Sequence, residues 1–223
     1  MSADPPHWRL RGLYAITPEE EDTEVLVGKV AASLDGGAAM VQYRAKALPE
    51  PARLAQAKGL AALCRARGVP LVVNDDVELA LAAGADGVHL GRDDGDMLRA
   101  RAAMRRGLVG ISCYDQPERA RIAARSGADY VAIGSVFASA TKPAAVRAPL
   151  ALIDEARRAG GLPVVAIGGI TAANARLAVE AGADMVAVIS AVFDAADIEG
   201  AARAIARAFE PGDRNVRSQP RAV

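Results

Sequence analysis

Gly182-Ala183-Asp184-Met185-Val186 is the stretch whose reading decides the fold. It recurs as Gly84-Ala85-Asp86-Gly87-Val88 and Gly127-Ala128-Asp129-Tyr130-Val131, and in a weaker copy as Gly37-Ala38-Ala39-Met40-Val41. In each copy a Gly closes a helix in the left-handed conformation, and an aliphatic run then enters a sheet. The runs introduced this way are the second, fourth, sixth and eighth of a longer series. The full series is Gly12-Thr17, Met40-Tyr43, Leu71-Asn74, Gly87-Leu90, Leu108-Ser112, Tyr130-Gly134, Val164-Gly168 and Met185-Ser190. Odd runs enter differently, as in Gly68-Val69-Pro70 and Gly161-Leu162-Pro163.

Between the runs lie Ala-rich stretches of helix length: Pro51-Arg67, Met97-Arg106, Pro117-Arg125, Pro149-Ala159, Ala172-Ala181 and Ala196-Phe209. Parallel strands covered on both faces and alternating with helices close most simply as a single (β/α)8 TIM barrel, an α/β fold over residues 1–210. An open, doubly wound sheet is the alternative. Its nucleotide fingerprint, a Gly-rich turn after the first strand, is missing, because Thr17-Pro18-Glu19-Glu20 stands there. Residues 211–223 lack periodicity and are expected to form a disordered tail.

Composition narrows the function. The 223 residues are 52% hydrophobic and 24% charged, with 27 basic residues against 27 acidic ones. Such a chain is not intrinsically disordered, and a formal net charge of zero argues against coating nucleic acid or an anionic membrane. Any anion is then held by a few local cations. Only four of the 27 cations are Lys: Lys29, Lys46, Lys58 and Lys142. Cys64 and Cys113 lie far apart without metal-like spacing, so a disulfide or zinc site lacks support. The first ten residues do not read as a signal peptide, and no apolar run approaches the length of a membrane span. A cytoplasmic protein is the expectation.

A barrel carries its chemistry at the C-terminal ends of its strands, so the residues just after each run are the informative ones. After the second run, Gln42, Arg44 and Lys46 share one face by strand periodicity. After the third comes Asn74-Asp75-Asp76, and after the fourth Gly91-Arg92-Asp93-Asp94. The fifth ends in Ser112-Cys113-Tyr114. The loop after the sixth runs from Ser135 through Ser139-Ala140-Thr141-Lys142-Pro143. The seventh yields Gly168-Gly169-Ile170-Thr171 and the eighth Ile189-Ser190-Ala191.

Two anion sites emerge. Gly168-Gly169 allows close backbone approach and Ser190 adds a hydroxyl, a chemistry suited to phosphate on loops seven and eight. The plainer reading of the Gly pair is a tight turn. Arg44, Lys46 and Lys142 face Asp75 and Asp94 at the same mouth. Two carboxylates beside phosphate-binding cations suit an octahedral Mg2+ that also takes phosphate oxygens. Each of these charges alone reads as a solvated surface pair, but five on four strand ends read as a site. His89 is expected to be a packed, hydrogen-bonded barrel residue. Trp8 is expected to pack against the barrel bottom or a neighbouring subunit. Cys64 reads as inert, and Cys113 lacks a local His partner for nucleophilic catalysis.

The ordered set of motifs resembles thiamine phosphate synthase, from about Leu13 to Phe209. The motifs are Gln42-Tyr43-Arg44-Ala45-Lys46, Val73-Asn74-Asp75, Gly87 to Asp94, Gly110-Ile111-Ser112, Ser139-Ala140-Thr141-Lys142, Val165 to Ile170 and Val188-Ile189-Ser190. The resemblance implies that hydroxymethylpyrimidine diphosphate and hydroxyethylthiazole phosphate are joined to give thiamine phosphate and pyrophosphate. It assigns Gln42, Arg44, Lys46, Asn74 and Lys142 to the pyrimidine diphosphate, and Asp75 and Asp94 to Mg2+. Ser112 is placed near the reacting centre. Ser139, Ala140, Thr141, Gly169, Ile189 and Ser190 are placed around the thiazole phosphate. Arg44, Lys46, Lys142 and Ser112 are the residues expected to act in catalysis, at a mouth that offers no obvious His base.

Some positions depart from the family pattern. Ser139 stands where many relatives have Thr, Ser135 where Pro is frequent, and Cys113-Tyr114 replaces a Thr-His type of pair. The implied partners are two small phosphorylated substrates, with no nucleic acid or membrane and with a homo-oligomer left open. Two other functions compete with this one. A thiazole tautomerase of the same barrel would keep the thiazole phosphate site and want a base. A non-catalytic barrel would only bind a phosphate ligand.

Overall fold

Short β-branched runs and Ala-rich segments alternate in the computed structural model as strand–helix units, and the model describes residues 8–91, 97–138 and 146–210. The first half comprises β1 (Gly12–Ile16), α1 (Thr23–Asp35), β2 (Ala38–Tyr43), α2 (Glu50–Arg67), β3 (Leu71–Asn74), α3 (Val77–Ala83), β4 (Gly87–Leu90) and α4 (Met97–Met104). The second comprises β5 (Leu108–Tyr114), α5 (Glu118–Arg125), β6 (Tyr130–Gly134), α6 (Ala151–Gly160), β7 (Val164–Ile167), α7 (Ala175–Glu180), β8 (Met185–Val188), α8 (Ser190–Phe193) and α9 (Ile198–Ala206). A 3-10 turn, Arg207–Phe209, follows. All neighbouring strands are parallel and run in sequence order around a closed barrel. Pairing of β1 with β8, Gly12 opposite Met185 and Ala15 opposite Val188, rules out the open sheet. The expected tail, 211–223, lies outside the described residues.

β1 ends one residue earlier than the sequence reading, β2 begins two earlier and β5 runs two further, and β7 and β8 stop short for local reasons. β7 ends at Ile167 because Gly168 adopts a φ of 102°. β8 ends at Val188, and Ser190, expected to be strand, instead opens the short helix α8.

The Gly-Ala-Asp echo sets the strand register. Gly84, Gly127 and Gly182 have φ values of 67°, 84° and 103°, the left-handed turn the repeat implies. The Asp that follows each of them makes a reciprocal pair with the strand before its own. The Asp184 N–H donates to the Val164 carbonyl and its carboxylate accepts from the Val164 N–H, both at 2.8 Å. Asp129 does the same with Val109, at 2.8 and 2.7 Å, and Asp86 with Leu71, at 2.8 and 2.9 Å. Arg101 and Arg157 brace Asp129 and Asp184 at 2.8 and 2.6 Å. The weaker copy has Ala39 at this place, and β1–β2 is a pair whose register shifts near its start.

With register fixed, alternate residues fill the barrel in layers of four. Tyr14, Val72, Gly110 and Val165 form one layer, and Gln42, His89, Ala132 and Ala187 form the next toward the C-terminal end. Above them stand Ile16, Asn74, Ser112 and Ile167. Trp8 and Leu10 pack against this interior from the N-terminal end. The residues of opposite parity, such as Val41, Val73 and Val186, pack outward against the helices.

Replacing Asp184 with Ala leaves the buried Val164 N–H without its acceptor and should lower unfolding stability by ~1–3 kcal/mol. Glu180→Ala, which removes only an exposed helical pair with Arg176, should cost under ~0.5 kcal/mol. Urea unfolding of the two variants measures the contrast; equal midpoints would deny the Asp184 pair its role.

Candidate active site at the C-terminal end of the barrel

The loop after β2 is held in place from the β1 side. The buried Thr17 hydroxyl accepts from the Arg44 N–H at 2.9 Å and donates to the Arg44 carbonyl at 3.2 Å. The Glu19 carboxylate accepts from the Lys46 N–H at 2.8 Å and lies 3.6 Å from the Arg44 guanidinium. Glu19 thus positions both cations, a role the sequence reading missed.

β3 delivers the carboxylate. Asp75 has a φ of 65°, an unusual conformation for a residue with a side chain, and its N–H donates to the His89 carbonyl at 2.8 Å. Its carboxylate accepts from the Asn74 side-chain amide and stands 3.5 Å from the Lys46 ammonium. Lys46 is 60% exposed, so water screens this attraction. The neighbouring Asp76 is committed elsewhere: it caps α3 through the Leu79 N–H at 2.9 Å and pairs with Arg53 at 3.1 Å. A pocket of about 620 Å3 opens here, lined by Lys46, Arg53, Asn74, Asp75 and Arg99 among others. Its size is in the range of small-molecule sites.

The floor of the mouth corrects one expectation. His89 is packed and hydrogen-bonded as expected, but the mouth does contain an imidazole: His89 Nε2 lies 3.0 Å from the Ser112 hydroxyl and Nδ1 3.1 Å from the Tyr130 hydroxyl. Strand parity carried that signal, since His89 faces inward opposite Asn74 and Gly110. Gln42, 3% exposed, points into the same interior.

On the opposite side, Gly168 and Gly169 have φ values of 102° and 62°. A Cβ at Gly168 would lie 2.1 Å from the Ser135 hydroxyl, and one at Gly169 would lie 2.1 Å from the Ala138 carbonyl. The Phe137 N–H donates to the Gly168 carbonyl at 3.0 Å. The Gly pair is therefore required both by the turn and by the loop after β6 packing onto it. Asn174 ties this turn by donating to the Gly169 carbonyl at 2.9 Å and accepting from the Thr171 N–H at 2.8 Å. Among the described residues the Gly169 N–H makes no hydrogen bond, which leaves it as a donor for an anion. Ile189 and Ser190 stand next door, where α8 begins.

Of the expected site residues, Gln42, Arg44, Lys46, Asn74, Asp75 and Ser112 thus gather over β2 to β5, and Gly169, Ile189 and Ser190 gather over β7 and β8. Asp94, Ser139, Ala140, Thr141 and Lys142 lie outside the described residues. No cluster of three His, Cys, Asp or Glu side chains forms among the described residues. No helix among them is long and apolar enough to cross a membrane. Cys113 takes the outward parity and is buried against the helices, and burial pushes its thiol up to about 12, as it does that of Cys64.

Fold and site together define a (β/α)8-barrel enzyme whose mouth has a charged side and a Gly-rich side. A family model described as thiamine monophosphate synthase matches residues 13–192. A thiamine-phosphate synthase of Aromatoleum aromaticum is 53% identical over 92% of this chain and 99% of its own length. Another, from Thiobacillus denitrificans, is 56% identical over 89% and 94%. A solved thiamine phosphate pyrophosphorylase of Pyrococcus furiosus superposes with a TM-score of 0.81 at 36% identity, covering 90% of this chain and 96% of that one. A 3-hexulose-6-phosphate synthase of Salmonella typhimurium, at 21% identity and a TM-score of 0.65 over 88% and 98%, shares the fold. The chain belongs to the thiamine monophosphate synthase family, and is a transferase of thiamine biosynthesis.

Because both thiols are buried and protonated, a thiol reagent at pH 8 should label neither cysteine in the folded protein and both after denaturation. Rapid native labelling of Cys113, with loss of activity, would restore a cysteine nucleophile to consideration.

Proposed function

We propose that the enzyme couples hydroxymethylpyrimidine diphosphate to hydroxyethylthiazole phosphate. The CH2–O bond to the diphosphate breaks, the thiazole nitrogen bonds to that carbon, and thiamine phosphate and pyrophosphate leave. The observation that carries this reading is the division of the mouth. Lys46, Arg44 and Asp75 suit a diphosphate with a divalent cation, whereas the Gly169 N–H and Ser190 suit a single phosphate.

The donor set fits Mg2+. Asp75 offers a hard carboxylate oxygen at the mouth, Asp94 follows β4 in sequence, and one or two carboxylates beside phosphate oxygens are what this ion takes. When bound, Mg2+ would neutralise charge developing on the departing pyrophosphate. Arg44, Lys46 and Lys142 bind the same oxygens and stabilise the leaving group as the bond lengthens. Gln42 and Ser112 orient the pyrimidine at the floor. Gly169 and Ser190 fix the thiazole phosphate, so that its nitrogen is held close to the carbon that loses oxygen. A pyrimidine that departs with cationic character needs no protein nucleophile, which agrees with two buried, protonated thiols.

The tautomerase alternative would want a base, and His89 is the imidazole at hand. Both its nitrogens are within hydrogen-bond distance of Tyr130 and Ser112, and an isomerase has no need of the Lys46–Asp75 pair.

Supplying both substrates with and without Mg2+ tests the proposal. Thiamine phosphate and pyrophosphate should appear together and only with the metal; folded protein that forms neither would sink the synthase reading. Isomerisation of the thiazole without pyrophosphate release would favour the tautomerase. Lys142→Ala should slow turnover by on the order of a hundredfold. Asp75→Asn should shift the Mg2+ titration to higher concentration, and an unchanged titration would remove Asp75 from the metal site.

A further inference from the structure

We propose that Tyr14, Tyr130 and His89 are positioning residues: they form a buried, one-way chain of hydrogen bonds from Gln42 to Ser112 that fixes the His89 tautomer and turns the Ser112 hydroxyl proton outward. The role in catalysis rests on the synthase reading above; the polarity of the chain does not.

The chain is continuous across the barrel. The Gln42 amide nitrogen donates to the Tyr14 hydroxyl at 2.6 Å. The Tyr14 and Tyr130 hydroxyls lie 3.0 Å apart, and Tyr130 lies 3.1 Å from His89 Nδ1. His89 Nε2 completes the path to the Ser112 hydroxyl at 3.0 Å. Both tyrosines are fully buried, and burial pushes both phenols well above their ordinary pKa, so each keeps its single proton.

Counting protons then sets the direction. Tyr14 receives a hydrogen from Gln42, whose amide nitrogen has none to accept with, so the Tyr14 proton goes to the Tyr130 oxygen. Tyr130 passes its own proton to His89 Nδ1. A neutral imidazole that accepts at Nδ1 carries its hydrogen at Nε2 and donates it to Ser112. The Ser112 hydroxyl, half-buried at the end of β5, is left with its proton directed toward the mouth. Turning the Gln42 amide over presents its oxygen to Tyr14 and reverses every step, which would direct the Ser112 proton inward. A ligand that donates to the Gln42 oxygen therefore favours a Ser112 that donates to the ligand. An amino group and a ring-nitrogen acceptor on one heteroaromatic ring match that pattern.

The alternative is that the tyrosines merely fill the core. Phenylalanine would do so without burying hydroxyls that must each find a partner. The barrel also gives up volume to seat Tyr130. A Cβ at Gly110 would lie 2.0 Å from the Tyr130 ring, so the facing position of β5 is empty of side chain. The seated ring stacks on His89, with centroids 5.6 Å apart and planes at 28°, and meets Tyr14 edge-on at 6.0 Å.

The chain has two histidines, His7 and His89, so 15N-imidazole labelling in a His7→Gln background reads His89 alone. The wild-type pattern should be the Nε2–H tautomer. Tyr130→Phe should give a mixed tautomer, and so should Gln42→Met, which removes the donor to Tyr14 without adding another. In steady-state assays Tyr14→Phe and Tyr130→Phe should lower kcat about threefold to tenfold, one hydrogen bond's worth, with KM for the thiazole phosphate unchanged. A wild-type Nδ1–H tautomer, a tautomer indifferent to Tyr130→Phe, or wild-type kcat in both folded variants would overturn the proposal. A wild type that makes no thiamine phosphate fails the synthase reading instead, and the tautomer pattern alone then decides the polarity.

Discussion

The reciprocal bond between each repeat Asp and the strand before it is the constraint on which the rest depends. A parallel strand pair can slip, and a slip of one residue exchanges its two faces. Asp86, Asp129 and Asp184 each fasten one residue of the preceding strand by both its N–H and its carbonyl, so that the pair has one register. The bonds sit at the N-terminal end of the barrel, yet their effect is felt at the other end. Parity carries from Asp184 to the end of β8, and from Asp86 to His89 and Asp129 to Ala132. The stability face and the chemical face of the barrel are thus linked through strand period alone.

That linkage explains what was legible in the sequence. The Gly-Ala-Asp echo announces itself because the left-handed turn demands Gly and the register bond demands Asp, so both leave a spelled trace. Gln42, Arg44 and Lys46 were legible because one strand and its continuation carry all three on one face. The Asp75 carboxylate was legible from its place just after β3, although its positive φ was not. Contacts that cross the barrel leave no such trace. Tyr130 and His89 are separated by 41 residues, and their meeting requires a missing side chain at Gly110, a third strand. Glu19 reaches Lys46 from another loop, and nothing in its neighbours spells that reach. The Gly168-Gly169 pair was half legible: the turn follows from the glycines, but the packing of the loop after β6 against them appears only in three dimensions.

The mouth and the floor achieve precision in opposite ways. Lys46 and Asp75 are 3.5 Å apart with Lys46 largely in water, where such a pair is worth little. Their strength is conditional, because an anionic ligand that displaces water would lower the local dielectric and deepen every charge interaction around it. The floor is unconditional. Its donors and acceptors are buried and bonded to one another, so water screens them far less than the charges of the mouth.

This division suits a reaction in which charge departs from one end of a molecule whose other end must stay still. In the proposed coupling the leaving pyrophosphate would need a field that grows once the substrate is present, and loop side chains such as the largely exposed Lys46 would supply it at little prior desolvation cost. The pyrimidine of the proposed coupling would need a fixed seat through bond breaking and bond making, and the buried, hydrogen-bonded set of Gln42, Tyr14, Tyr130 and His89 would supply it. The cations of the proposed site are few and local, and two of the others, Arg101 and Arg157, brace carboxylates that hold the barrel's register.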